Sequence, residues 1–392
     1  MNSYCPNIRA YNSENSSKDR CIESDAKSQP VIVFYDPAKS IPEGCIASFQ
    51  QMELFAEFER ITYGHFVNMR GRVMEVRKIF GATCATLRDM TQYSTHMQMY
   101  RFRACVFSVG IFGKVARLFR WDRAGAIVSA PIEYSTVGNR ELAEFFYRFD
   151  RMNPAQRGWD PTVCDATPED AAAFTQAVQT FAGGGNAELF KSLLESVGEL
   201  GDYPRKINII YGAGKRVSYI VGGSSVTAKS ATVRGTRGFV AMDAETKALV
   251  FLKDSWRSDM ARMKSEGHWY KRLKGGEYIA AFSHGSDVGR VRRGGNFGEE
   301  GDIKKGEMVR VQRTITQNYL KGYCNLREMI GFFHYRTIQS EFYIPLKMFK
   351  NSRNLTQIMH DVVLGRVFFQ LLCVSALNQY RVFVEWGFFI ET

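Results

Sequence analysis

From Thr232 to Leu273 the sequence reads TVRGTRGFVAMDAETKALVFLKDSWRSDMARMKSEGHWYKRL. Gly235 and Gly238 mark a turn beside an apolar run. A second apolar run, Ala248–Leu252, ends on Lys253. Glu266 then opens a stretch of helical character that closes at Leu273. This order restricts the fold, because short apolar runs bounded by turn residues pair as strands. Glycine at the turn lets backbone N–H groups approach an anion without a Cβ in the way. The lysine then supplies a cation, and the glutamate a carboxylate able to pair with it.

Charge and cysteine usage narrow the setting. Lys and Arg outnumber Asp and Glu by 52 to 40, a formal net charge of +12. Such a balance favours nucleotides, phosphorylated proteins, nucleic acid or anionic membrane without choosing among them. The eight cysteines are scattered, with no C-x-x-C and no Cys/His cluster at zinc spacing. They read as reduced thiols of an intracellular protein, cytoplasmic or nuclear. The segment from Met1 to Pro30 lacks the apolar core of a secretory signal. The longest apolar run, Val367–Leu377, is too short to span a bilayer. No membrane partner is expected.

Along the chain the pattern predicts an α+β fold. Residues 1–30 are rich in Ser, Asn and Asp and read as a disordered tail. A mixed α/β unit is expected over 31–205, with strands at Val31–Tyr35, Glu53–Glu59, Ala104–Phe112, Ala116–Trp121 and Ala126–Ile132. Helices are expected over Arg88–Arg103, over Leu142–Phe149 after a cap at Asn139, and from Pro168, where Glu169 and Asp170 suit a helix start. Gly183–Gly185 reads as a joint. Strands resume at Ile207–Tyr211 and Arg216–Val221 in a second unit over 206–345. Within it, the Gly- and charge-rich segment 283–306 reads as a mobile loop. Residues 346–392 complete the chain, with helix expected over Asn351–Phe369.

Protein kinases cover the ATP phosphates with G-x-G-x-x-G-x-V. Val233–Val240 fits this pattern except that Val233 replaces the first glycine. In that reading Gly235 and Gly238 approach phosphate oxygens and Val240 covers the adenine. Lys253 bridges the α- and β-phosphates, and Glu266 holds its ammonium. A glycine hairpin, a strand-end lysine and a helix-cap acid are the plain alternatives for each feature alone. Gly212-Ala213-Gly214-Lys215 evokes a P-loop. However, Ile209 stands where that motif needs glycine and Arg216 where it needs Ser or Thr, so it reads as a turn.

Longer blocks carry a family resemblance. They are Val106–Tyr134, Leu142–Val163, Arg234–Trp256 and His334–Val363. In this order they resemble the fungal-type protein kinase family, a divergent branch of the eukaryotic protein kinases. The resemblance implies a kinase-like small lobe over 206–345 with ATP at Gly235, Gly238, Val240, Lys253 and Glu266, and a hinge near Gln339–Tyr343. It places an incomplete large lobe over 346–392. His268 stands where the family often shows a second acid. Family members continue with a histidine-arginine-aspartate loop past Asp361–Phe369, whereas this sequence holds neither H-R-D nor D-F-G. The resemblance therefore implies a weak or vestigial ATP site and a pseudokinase or fragment. Magnesium is expected only in a complete family member. An alternative reading of the gene after Gly365 would restore a serine/threonine kinase.

Two further expectations follow. Arg290, Arg292, Arg293, Lys304 and Lys305, with Phe297 among them, would suit a nucleic-acid backbone and its bases, although nearby acids dilute the charge. Ile330–Phe333 and Val362–Phe369 would offer apolar surface to a protein partner. Glu59 stands where the family often has lysine. An acid–x–Lys metal strand is thereby lost, and Glu59 reads as structural.

Overall fold

The computed structural model describes residues 4–13, 29–39, 48–59, 82–183, 204–211, 215–224, 226–227, 232, 234–260, 263–273, 280–293, 296–297, 308–319 and 330–341, and parts of 351–363. Two sheets organise them.

The first sheet holds six strands in chain order: β1 (Arg9–Asn12), β2 (Ile32–Tyr35), β3 (Leu54–Glu59), β4 (Val106–Phe112), β5 (Val115–Asp122) and β6 (Gly125–Val128). All neighbours run antiparallel except β3 and β4. A parallel pair needs a crossover, and α1 (Ala82–Tyr100) lies on that connection. Alternation along the strands then serves two helices. Phe55, Val106, Phe119 and Trp121 pack with Met90, Tyr93 and Met97 of α1. Leu54, Ala56, Val109 and Ile111 pack on the other side with Phe149 of α2 (Glu141–Arg151). The N-cap of α2 is Arg140, not Asn139, although Asn139 one residue earlier accepts a hydrogen bond from the Glu141 amide at 3.0 Å. Glu59 accepts one from Thr86 of α1 at 3.0 Å.

Residues 4–13 differ from the expected tail. β1 pairs with β2, Cys5 and Ile8 are buried, and Asn7 bonds to Asp150 through its amide and side chain. Backbone pairing and this buried anchor order a segment whose side chains are mostly polar. The remainder of the expected tail outside the described residues is 1–3 and 14–28.

The second sheet holds β7 (Val163–Asp165), β8 (Arg205–Tyr211), β9 (Lys215–Val221), β10 (Val226–Thr227), β11 (Arg237–Asp243), β12 (Leu249–Ser258), β13 (Phe282–Asp287) and, late in the chain, β17 (Phe332–Gln339). Its order is β13-β17-β12-β11-β9-β8-β7, with β10 beside β11, and every pairing is antiparallel. β8 and β9 pair as far as Tyr211 and Lys215, and residues 212–214 of the P-loop-like pattern lie outside the described residues. β7, from within the expected 31–205 unit, pairs with β8 in this sheet. The expected loop over 283–306 is corrected. It contributes β13, then β14 (Gly289–Arg293) and β15 (Asn296–Phe297), which form a small ribbon with β16 (Met308–Val311). Backbone pairing decides there, and glycine and charge content misleads. Residues 298–307 lie outside the described residues, as does most of 346–392.

The two faces of the second sheet differ in chemistry. One buries Ile207, Tyr219, Phe239, Ala241, Leu252 and Ile338 with Phe102. That face continues into ions. Asp254 accepts from His334 Nε2 at 2.7 Å, Arg336 Nε at 2.8 Å and Arg237 at 2.5 Å. Arg336 reaches Asp160 at 2.5 Å, and Gln312 bridges Asp160 and His334. Burial alone would raise the pKa of Asp254, but His334, Arg237 and Arg336 hold it well below the usual carboxylate range. Arg237 also donates to the carbonyls of Met99 and Arg101, tying β11 to the end of α1.

The other end of the sheet holds a buried neutral imidazole. His284 stacks on Tyr211 at 4.0 Å and meets the Tyr219 hydroxyl at 3.4 Å, with Asp243, Lys215 and Lys271 the charged groups nearby. Burial lowers its pKa to about 4. In the unfolded chain imidazole takes its proton near pH 6.5. The resulting stability is therefore complete above pH 6.5 and is lost as pH falls toward 4. Between pH 7 and 4.5 we expect a loss of roughly 2–3 kcal/mol. Urea midpoints at the two values check this, and His284→Gln should flatten the dependence. Among the described residues no helix is long and apolar enough to cross a membrane.

Candidate functional site

The sequence brings Lys253 and Glu266 together by local means. Lys253 sits mid-strand in β12, paired with Gly238 on β11 and Thr337 on β17. A connection of seven residues, Asp259–Ser265, leads from β12 into α4 (Glu266–Arg272). Ser265 is extended and precedes the helix, and Glu266 stands in its first turn, where a carboxylate suits the helix dipole. Lys253 Nζ lies 3.0 Å from both Oε1 and Oε2 of Glu266. Glu266 is buried, with its side chain 5% exposed against 18% for Lys253, so the carboxylate is held and the ammonium keeps some access. Arg234 adds a second cation 4.0 Å from Glu266.

β17 holds α4 in place. Its odd-numbered residues share the face of Lys253 through the cross-strand register. The Tyr335 hydroxyl accepts from the Gly267 amide at 3.0 Å, and a Cβ on Gly267 would lie 2.5 Å from that oxygen. Glycine at 267 thus permits the phenol to reach the helix start. Burial pushes the Tyr335 phenol up, keeping it neutral. Gln339 donates to the Tyr270 hydroxyl at 3.1 Å. Tyr335→Phe should cost about 1–2 kcal/mol by leaving that buried amide without its acceptor. Urea unfolding of the variant checks the value.

The glycine turn is held from below. Gly235 is buried with φ +46, a left-handed value that favours glycine. Its missing side chain makes room for Arg123, whose guanidinium carbon would lie 2.5 Å from an added Cβ. Arg123 comes from the β5–β6 turn, and burial with Arg237 nearby lowers its pKa to about 10, so it stays charged. The Arg234 carbonyl accepts from the Trp256 amide at 2.7 Å, and Ser224 donates to the Gly238 carbonyl at 3.1 Å. Val240 shares the face of Lys253 but is only 1% exposed, covered by α3 (Pro168–Gly183).

The five sequence-derived residues are therefore neighbours on one sheet and its adjoining helix. Gly238, Val240, Lys253 and Glu266 converge on one face, while the open side of Gly235 meets Arg123. Sequence reading missed Tyr335, Arg234 and Arg123. Tyr335 had a signal in the alternation of His334-Tyr335-Arg336, which sends the outer two toward Asp254 and the middle one to α4. Arg123 had none. Among the described residues no group of three or more His, Cys, Asp or Glu side chains is placed to hold a metal. Of the expected hinge, Gln339–Glu341 are described and Ser340 bonds to Ala281, while residues 342–343 lie outside.

The model of the family described as fungal protein kinase matches residues 82–372, about three-quarters of the chain. The chain belongs to the fungal protein kinase family. In this fungal protein kinase family chain the match begins at α1, after β1, β2 and β3 of the first sheet, and takes in β4 to β6 and all of the second sheet. No curated protein and no solved structure matches the chain. Protein kinases place a lysine on a small-lobe strand and a glutamate on the next helix. β12 and α4 follow the same order here.

Proposed function

We propose that this chain carries the nucleotide-gripping half of a protein kinase and holds ATP through Lys253 without transferring its phosphate. The observation that supports this most is the two-oxygen contact of Lys253 with Glu266 on the strand that follows the glycine turn. An ammonium has three donors. Two point to Glu266, leaving one direction for a phosphate oxygen. Gly238 pairs with Lys253, and Arg234 adds positive charge 4.0 Å from Glu266.

Transfer needs more. A kinase uses an aspartate to orient the attacking hydroxyl, and an aspartate with an asparagine to hold magnesium. The 392-residue sequence has no H-R-D and no D-F-G. Among the described residues no group of three or more His, Cys, Asp or Glu side chains is placed to hold magnesium. In this 392-residue form the reading is a pseudokinase or fragment with weak ATP affinity. ATP titration should give weak binding to the wild-type chain, with no phosphate transferred to protein. Transfer of labelled phosphate by the purified chain would contradict the reading.

A second reading concerns the basic ribbon. Its register pairs Arg290 with Arg310 and Arg292 with Phe297, placing three basic positions and an aromatic one on a common face. That pattern favours a single-stranded nucleic acid. A salt-dependent gel shift that weakens on Arg290→Glu/Arg292→Glu supports it. No shift at low salt removes it.

A further inference from the structure

Helix α3 lies across the face that carries Lys253. β11 and β12 pair Gly238 with Lys253 and Val240 with Phe251, so these four share one side of the sheet. Val240 stands two residues beyond Gly238, about 7 Å at the rise of a strand. There it packs with Ile220 and Met242 against Phe174 and Val178 of α3. Phe174 is 1% exposed and Val178 3%.

The β17 side of Lys253 is closed. There stands α4, with Glu266 and Gly267 against Tyr335. At Gly235 the open side meets Arg123, which neighbours Arg237 and Asp254 on the opposite face. A sugar and base that extend along this face from a phosphate on Lys253, away from α4, run toward Val240. We infer that α3 occupies the place of the sugar and base of a nucleotide held at Lys253, so that nucleotide binding and α3 docking exclude each other. This rests on the nucleotide reading of Lys253 and adds the regulation of that site.

The helix is built to leave. Much of its packing face is alanine, including Ala173, Ala177 and Ala182, which bury little area. One ion pair, Lys206 to Asp170 at 3.2 Å, holds its first turn to β8. The apparent ATP affinity is then the intrinsic one reduced by the fraction of molecules with α3 undocked. Anything that captures α3 opens the site.

Hydrogen exchange of the α3 amides, read on the full chain with and without ATP, tests this alongside ATP titration. ATP should speed α3 exchange in the wild type. Phe174→Asp should show fast α3 exchange without ATP and bind ATP at least tenfold more tightly. Asp170→Asn loses only the ion pair to Lys206 and should move both readouts the same way by a smaller factor. It keeps the test valid should Phe174→Asp not fold. Equal ATP affinity in wild type and variants, with α3 protected in the ATP complex, overturns the inference. ATP binding to none of them, with α3 exchange already fast in Phe174→Asp, defeats the nucleotide reading of Lys253 and the inference with it.

Discussion

Asp254→Ala is expected to destabilise the protein by roughly 3–5 kcal/mol, enough to prevent folding of a marginal chain. The residue immediately follows Lys253 but points to the opposite face. There its two oxygens take His334, Arg336 and Arg237, all buried. Removing the carboxylate leaves two guanidinium groups in the interior with only Asp160 to balance them. Desolvation is then uncompensated, which is why breaking a buried pair costs more than the pair contributes. The stacking of His334 on Trp256, at 4.6 Å and nearly parallel, would lose its anchor too. Urea unfolding of Asp254→Ala beside the wild type gives the number. A midpoint within experimental error of the wild type contradicts the account of this network. The same ions predict acid sensitivity. The pKa values of Asp160 and Asp254 are lowered in the folded state, so their stabilisation is present above about pH 4. It is lost as pH falls through the depressed values.

The second large effect is on binding. Lys253→Met keeps the length and apolar stem of the side chain and deletes the charge. A charge-assisted hydrogen bond contributes about 1.5–3 kcal/mol, or roughly ten- to a hundredfold in affinity. Folding should suffer less. The ammonium is only partly buried, and the variant leaves Glu266 near Arg234. Glu266→Gln should act in the same direction and more weakly, since it frees the lysine without removing it. The double variant should add little to Lys253→Met, because both changes act on one contact. ATP titration of the three proteins checks the order.

How much of this was legible depended on distance along the chain. Lys253 and Glu266 are thirteen residues apart, and strand and helix periodicity place them on adjoining elements. The strands of the first sheet show alternation or apolar runs, and β2 to β6 fall where expected. β1, with sequence RAYN, shows neither, and only its pairing with β2 reveals it. β7 is three residues long, too short to show a period. β14 reads GRVRR, so its arginines hide the alternation that its register reveals. Asp254 and Arg336 are 82 residues apart, and Gly235 meets an arginine from the other unit. No local pattern encodes such pairs. Nor does the alanine-rich sequence of α3 say which face it covers.

The central claim is that Lys253, braced by Glu266, receives the phosphates of a nucleotide. The most direct measurement is ATP titration in the Phe174→Asp background, where α3 no longer competes, with Lys253 intact and with Lys253→Met. The account predicts binding to the first protein and at least tenfold weaker binding to the second. Equal affinity in the two, with both folded, contradicts it.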